Sequence, residues 1–293
     1  MSHKGGYSHS AFIYALKECD YRLIDTAVRY NNEDEIGLVV KESGVPREEL
    51  FLTTKLWPAQ YGYESTIIDF QKSCKRLGVD YIDLYLMHWP DCPNACKDKR
   101  QLRADTWRAM ETLYKQGLCR AIGVSNFLIH HLDEFLQDCT IVPHVNQVEY
   151  HPYHNPKELV AYCRDRGIQF EGYSPLAKRT LLDKAPIQEI AKRNNCTEAQ
   201  VLLRWSIQND VVAIPKSTSE KRLKENAQVF GIELSKADMN ILDNLHTGYR
   251  IVDASLIQDK VNLSYEQLRL LLQRDDSCKQ KKKMHKIVES FQI

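Results

Sequence analysis

Short runs of β-branched and other apolar residues recur along the chain, each bounded by polar or turn-forming residues. Several runs are continuously apolar rather than alternating, which is typical of parallel strands that are covered on both faces. The seven runs occupy residues 22–26, 51–56, 81–88, 121–125, 145–150, 168–174 and 211–216. The pattern therefore predicts seven strands of a parallel sheet.

Before, between and after these runs lie stretches in which apolar residues recur with the period of an amphipathic helix. They occupy residues 7–18, 33–43, 65–77, 104–116, 129–137, 156–166, 187–194, 220–228 and 236–244. Ser65 is expected to cap the third of them. One strand follows another at about 32 residues, which is the size of a βα unit. The sequence therefore predicts parallel strands joined by helical crossovers.

A (β/α)8 TIM barrel needs eight such units, whereas the sequence shows seven strands. The deficit lies at the beginning, because the helix over residues 7–18 has no recognisable strand before it. We therefore predict an α/β fold, a TIM barrel with its first strand missing. An open doubly wound sheet is the alternative for seven strands, although no G-x-G-x-x-G motif follows the early strands.

A single barrel domain is expected over residues 1–260, since no linker-like segment interrupts them. Residues 261–293 are expected to form a C-terminal helix and a polar, lysine-rich tail. The helix is predicted over residues 264–274, where Ser264 and Gln267 have the spacing of a capping box.

The composition narrows the possible functions. The chain has 293 residues, 43% of them hydrophobic, and a net charge of +1, which argues against a chain-wide basic surface for nucleic acid or anionic membranes. There is no apolar run of about eighteen residues that would predict a membrane span, and no apolar segment of a secretory signal. We therefore expect a cytoplasmic protein. Nine scattered cysteines, with Cys92 and Cys96 as an isolated C-x3-C pair, predict reduced thiols and no metal site.

The candidate chemistry lies at the carboxyl ends of the predicted strands, where TIM barrels carry their active sites. Asp25, Lys55 and His88 end the first three strands, and Tyr30 follows Asp25 in the first loop. A lysine ammonium beside a tyrosine hydroxyl stabilises the phenolate, and a carboxylate keeps the ammonium charged. A histidine can hydrogen-bond a substrate oxygen. Such a group can protonate a carbonyl but supplies no electrons, so hydride must come from a cofactor.

The sequence resembles the aldo-keto reductases, which are NAD(P)H-dependent carbonyl reductases built on a TIM barrel. The resemblance is carried between Tyr21 and Leu245 by the segments IDTAVRYNNEDEIG, LFLTTKLW, DLYLMHWP, GVSNF, NQVEYHP, YSPL and IPKSTSEKRLKEN. It implies NADPH-dependent reduction of aldehydes and ketones to alcohols by a monomer, nearest to the small reductases of glyoxals and keto-sugars. It also implies that Tyr30 is the general acid of a catalytic tetrad completed by Asp25, Lys55 and His88. His88 and Trp89 would contact the substrate.

The resemblance further implies a set of cofactor contacts. Ser125, Asn126 and Gln147 match the residues that hold the nicotinamide carboxamide, and Tyr173 matches the residue that stacks on the nicotinamide ring. Ser174 and Leu176 match contacts near the pyrophosphate. Lys216, Ser217 and Arg222 match the group that binds the adenosine 2′-phosphate, and Glu225 and Asn226 match adenine contacts. Two cations near one phosphate favour NADPH.

The sequence departs from the family pattern in three places. The opening hairpin and first strand are not recognisable, Ala177, Lys178 and Arg179 follow the YSPL segment, and the region after Leu245 diverges. These departures leave a second hypothesis: a truncated, catalytically impaired reductase that binds NADPH and serves as a structural or regulatory protein. An incomplete barrel exposes strand edges, and this favours the second hypothesis.

Overall fold

A computed structural model describes residues 7–252 of the chain. These residues form one sheet of seven parallel strands arranged in chain order. The strands are β1 Leu23–Asp25, β2 Phe51–Leu56, β3 Ile82–Met87, β4 Cys119–Ser125, β5 Val145–Glu149, β6 Gln169–Tyr173 and β7 Val212–Ile214. A doubly wound sheet reverses its strand order at a switch point, so the strictly sequential order excludes that alternative. The predicted barrel architecture with seven recognisable strands is confirmed.

Ten α-helices of the described residues surround the strands. They are α1 His9–Glu18, α2 Glu33–Glu42, α3 Tyr63–Leu77, α4 Lys99–Lys115, α5 Ile129–Phe135, α6 Lys157–Arg164, α7 Ala185–Arg193, α8 Glu198–Gln208, α9 Glu220–Ala227 and α10 Lys236–Asp243. The predicted helix over residues 264–274 and the lysine-rich tail lie outside the described residues. Within residues 7–252, no helix combines the length and the apolar character needed to cross a bilayer.

Two helix predictions are wrong in detail. The helix α8 was not predicted, although Thr197 and Gln200 form a capping box at its start that is readable from the sequence. Ser65 does not cap α3, because the helix begins two residues earlier, after Gly62 in a positive-φ conformation of 116°. The Ser65 hydroxyl instead donates to the carbonyl oxygens of Tyr61 and Gly62. A glycine at the cap allows this backbone conformation, which L side chains rarely adopt.

The sheet has β1 and β7 at its two ends, since in the described residues β1 pairs with β2 alone and β7 with β6 alone. Helix α1, which precedes β1, packs against helix α9, which follows β7. Ala11 and Ala15 of α1 and Leu223 of α9 form a small buried cluster. The Tyr21 hydroxyl reinforces the contact by donating to the backbone carbonyl of Leu223 at 3.2 Å. The contact therefore joins the helices that lie next to the two end strands of the sheet along the chain.

The interior is tightly packed where neighbouring strands approach. Gly123 of β4 has no room for a side chain, because a Cβ there would lie 2.5 Å from the Val145 carbonyl oxygen. The indole rings of Trp107 and Trp205 are buried. Trp205 stacks on Tyr150 with ring centroids 4.6 Å apart. A rigid core of this kind holds the strand ends, and the side chains on them, in defined positions.

Candidate active site

The carboxyl ends of β1, β2 and β3 bring three of the predicted residues together. Asp25 is the last residue of β1, Lys55 lies next to the end of β2, and His88 follows β3 directly. Tyr30 closes a short 3-10 turn after β1, and Asn31 reverses the chain behind it in a left-handed conformation with φ 52°. Parallel strands end on one side of the sheet, so the four side chains of the tetrad face a common space.

Lys55 is fully buried and pairs with Asp25. Its Nζ donates to the two carboxylate oxygens of Asp25 at 2.7 and 2.6 Å and to the carbonyl oxygen of Thr26 at 2.9 Å. Burial alone would lower the pKa of Lys55, but the charge and hydrogen bond of Asp25, together with the charges of Tyr30 and Glu171, outweigh burial, and the pKa is raised. Lys55 therefore carries an ammonium ion in an interior that would otherwise exclude one.

Tyr30 lies against both Lys55 and His88. The Lys55 Nζ is 5.0 Å from the centroid of the Tyr30 ring, and the rings of Tyr30 and His88 meet edge to face at 5.8 Å. Burial raises the pKa of Tyr30, while the Lys55 ammonium lowers it. The lysine thus acts in the predicted direction, but the net pKa lies above the ordinary tyrosine value because burial has the larger effect. The hydroxyl is therefore protonated and able to donate.

His88 is neutral in this environment. Burial lowers its pKa well below the ordinary value, and the positive charges of Lys55 and Arg29 lower it further. A neutral imidazole can donate its one ring N–H to a substrate oxygen, and it adds no second positive charge beside the Lys55 ammonium. Its Nδ1 is buried and has no hydrogen-bond partner within the described part of the chain.

Two tryptophans border this space. Trp57 meets the His88 ring edge to face with centroids 5.4 Å apart, and Trp89 is parallel to it at 6.5 Å. Both indoles are buried, and Ala59 and Val252 pack against them. Of these two tryptophans, Trp89 was predicted as a substrate contact and Trp57 was not. Trp57 was missed, although an aromatic residue two positions after Lys55 was a readable signal.

A second group of predicted residues lies on the next strands and is linked by hydrogen bonds. Asn126 donates from Nδ2 to the His88 carbonyl oxygen at 3.0 Å and to the Ser125 hydroxyl at 3.1 Å. The Tyr173 hydroxyl donates to Asn126 Oδ1 at 2.8 Å, and the Ser125 hydroxyl donates to the Gln147 carbonyl oxygen at 2.8 Å. We call Ser125, Asn126, Gln147 and Tyr173 the amide cluster. It adjoins the tetrad through His88.

Gln147 links the amide cluster to the tetrad in a way that the sequence did not predict. Its Nε2 donates to Asp25 Oδ2 at 2.8 Å and to Glu171 Oε1 at 2.7 Å. Glu171 is a buried carboxyl on β6. It was not among the predicted site residues, because a single acidic residue within a strand carries no motif.

The remaining predicted residues lie beside and beyond β7. The Arg222 Nε donates to the Ser217 hydroxyl at 3.4 Å. Burial and the nearby positive charge of Arg222 lower the pKa of Lys216. We call Lys216, Ser217 and Arg222 the basic cluster. Glu225 and Asn226 lie on α9, and Asn226 is buried.

Ser174 and Leu176 lie in the loop after β6, where the backbone of Ser174 has a φ of 54°.

The described residues include no group of three or more His, Cys, Asp or Glu side chains that could hold a metal ion. Cys92 and Cys96 both have thiol protons directed at backbone carbonyl oxygens, Cys92 at Lys99 and Cys96 at Asp98.

The chain is similar to known proteins both in sequence and in structure. The model of the Aldo/keto reductase family matches residues 8–247. Glyoxal reductase of Bacillus subtilis is 53% identical over 231 residues, which are 79% of this chain and 81% of that protein. The crystal structure of an aldo-keto reductase from a deep-sea metagenome superposes with a TM-score of 0.79 at 42% identity and covers 85% of this chain and 90% of its own.

An aldo-keto reductase of Bombyx mori, solved in complex with NADP, is 32% identical with a TM-score of 0.79 and covers 86% of each chain. The present chain therefore belongs to the aldo/keto reductase family. The predicted family and the predicted class of enzyme, an oxidoreductase, are confirmed.

Proposed function

We propose that the protein is an NADPH-dependent reductase of small aldehydes and ketones that uses Tyr30 as general acid. The observation that carries this proposal is the meeting of Tyr30, the Lys55–Asp25 ion pair and neutral His88 at one end of the sheet. The similarity to a glyoxal reductase supports a small carbonyl compound as substrate. The aromatic walls of Trp57 and Trp89 suit a compact apolar or conjugated substrate.

The residues of the chain fit NADPH at two separate points. Lys216 and Arg222 are like charges close enough to lower the pKa of the lysine, and a bound phosphate would relieve their repulsion. The amide cluster offers hydroxyl, amide and phenol groups, which match the donor and acceptor pattern of a carboxamide. Tyr173 adds an aromatic ring beside them. When bound, NADPH supplies the hydride that reduces the carbonyl carbon.

The tetrad residues then complete the reduction. His88 donates a hydrogen bond to the carbonyl oxygen of the substrate and polarises it. Tyr30 transfers its hydroxyl proton to the same oxygen as negative charge develops there. The Lys55 ammonium, held in place by Asp25, stabilises the phenolate that remains on Tyr30. The ion pair thereby offsets part of the cost that burial imposes on ionising Tyr30.

The basic cluster predicts a preference for NADPH over NADH. The variant Arg222→Leu should weaken NADPH binding by about tenfold or more, because a charge-assisted contact to the 2′-phosphate is lost. Binding of NADH, which lacks that phosphate, should change little. Quenching of protein fluorescence during titration with each cofactor measures both values. Lys221→Leu, a neighbouring change on α9, is the control, and equal losses for NADPH and NADH in Arg222→Leu would contradict the assignment.

The proposed function is tested by following NADPH absorbance while the purified chain is mixed with 4-nitrobenzaldehyde, methylglyoxal or a quinone. We expect NADPH consumption that depends on the carbonyl compound. A folded chain that quenches on NADPH titration but consumes none would instead support the second hypothesis, a binding protein of structural or regulatory role. A folded chain that neither binds nor consumes NADPH would contradict both hypotheses.

A further inference from the structure

Glu171 is a buried acidic residue that neither the tetrad nor the predicted cofactor contacts include. It lies on β6 with 3% of its surface exposed. A carboxyl group is rarely buried to this extent without a specific partner. Its partner is the side-chain amide of Gln147, which donates to Glu171 Oε1 at 2.7 Å.

The same nitrogen atom of Gln147 also donates to Asp25 Oδ2 at 2.8 Å. One amide NH2 group therefore uses its two hydrogens on two carboxyl groups, one from β1 and one from β6. When Glu171 is ionised, both carboxyl oxygens are acceptors, so the atom between them is the nitrogen. This arrangement determines which way the amide is turned, and the oxygen of Gln147 faces away from the two carboxyl groups.

We propose that Glu171 is a positioning residue, which with Asp25 holds the amide nitrogen of Gln147 so that its amide oxygen is presented to the nicotinamide carboxamide. The inference rests on the proposed function, since it needs a nicotinamide cofactor beside the amide cluster. Glu171 makes no contact with the cofactor in this role. It lowers the cost of binding because the Gln147 side chain is already oriented.

The charge on Glu171 determines how firmly Gln147 is held. Burial and the neighbouring charge of Asp25 raise the pKa of Glu171 to about 7, against the opposing effects of the Gln147 hydrogen bond and the Lys55 ammonium. Above that value Glu171 is a carboxylate, which accepts a charge-assisted hydrogen bond from Gln147. Below it Glu171 is a neutral acid, and the hydrogen bond is weaker. Orientation of Gln147 should therefore strengthen as the pH rises through neutrality.

The variant Glu171→Gln tests this dependence, because glutamine has the shape of the protonated acid and does not ionise. We expect NADPH dissociation constants for the variant and the wild type to be nearly equal at about pH 6. At about pH 8 the variant should bind about fivefold more weakly, the difference between a charge-assisted and a neutral hydrogen bond. Fluorescence titration measures the ratio of the two constants. The ratio is used because the 2′-phosphate itself titrates near pH 6 and affects both proteins alike.

A matched control is Glu149→Gln, which alters another buried glutamate on the neighbouring strand. Burial alone would raise the pKa of Glu149, but hydrogen bonds from His151 and two backbone N–H groups lower it. Glu149 is therefore ionised at both pH values, and any effect of its replacement should not change between them. In a Gln147→Leu background, Glu171→Gln should have no further effect on the ratio, since the residue through which it acts is absent.

A ratio for Glu171→Gln that is the same at both pH values would overturn the positioning role, since a purely structural residue produces a constant loss. If Glu171→Gln does not fold, the pH dependence of NADPH binding in Gln147→Leu decides the question. A dependence equal to that of the wild type would then overturn the proposal. Failure of the wild type to bind NADPH would overturn the proposed function as well, whereas a flat ratio leaves that function intact.

Discussion

Replacement of Tyr30 by phenylalanine is expected to lower the turnover number for carbonyl reduction by about 10²- to 10⁴-fold, the usual contribution of a general acid. The phenylalanine ring keeps the packing against His88 and Lys55, so only the transferable proton is lost. Hydride transfer would then leave an alkoxide without a proton donor. The NADPH consumption assay with a small aldehyde, at saturating cofactor, measures the effect.

NADPH binding by Tyr30→Phe should remain close to that of the wild type, because none of the proposed cofactor contacts is changed. Tyr63→Phe is the matched control, since it removes the hydroxyl of a tyrosine on α3 that contacts Thr112 outside the strand ends. Its turnover should be unchanged. Wild-type turnover by Tyr30→Phe would show that another group donates the proton.

Replacement of Lys55 by methionine is expected to abolish measurable turnover and also to destabilise the fold. The fully buried ammonium makes three hydrogen bonds, two of them to Asp25. Methionine fills a similar volume but leaves the carboxylate of Asp25 without its cation. Removing one partner of a buried ion pair typically costs about 3–5 kcal/mol in the free energy of unfolding. Urea denaturation followed by circular dichroism measures this loss.

The stability loss in Lys55→Met should come from the carboxylate charge of Asp25, which the variant leaves without its cation. The double variant Lys55→Met with Asp25→Asn removes both charges and should recover part of the stability but none of the turnover. An unchanged free energy of unfolding in Lys55→Met would contradict the buried ion pair, and retained turnover would contradict the role of the ammonium.

The architecture of the site was largely predictable, because strand periodicity and strand ends are local properties. All seven strands were placed within about two residues of their observed bounds, a boundary accuracy that periodicity allows for strongly patterned segments. Since parallel strands end on one side of a barrel, Asp25, Lys55 and His88 had to meet once those strands were recognised. The helix α8 was missed although its capping box is readable, because its residues follow α7 without an intervening strand.

The sequence by itself determined the family and the order of the strands, and it predicted the tetrad residues, since each is carried by short segments whose spacing is local. Only the tertiary structure decided how those groups act on one another. Burial, which depends on the whole fold, turned the net pKa shift of Tyr30 upward despite Lys55. The contact of Gln147 with Asp25 joins residues 122 positions apart. No local sequence pattern predicts such contacts, because they form only when the fold brings together strands that are distant along the chain.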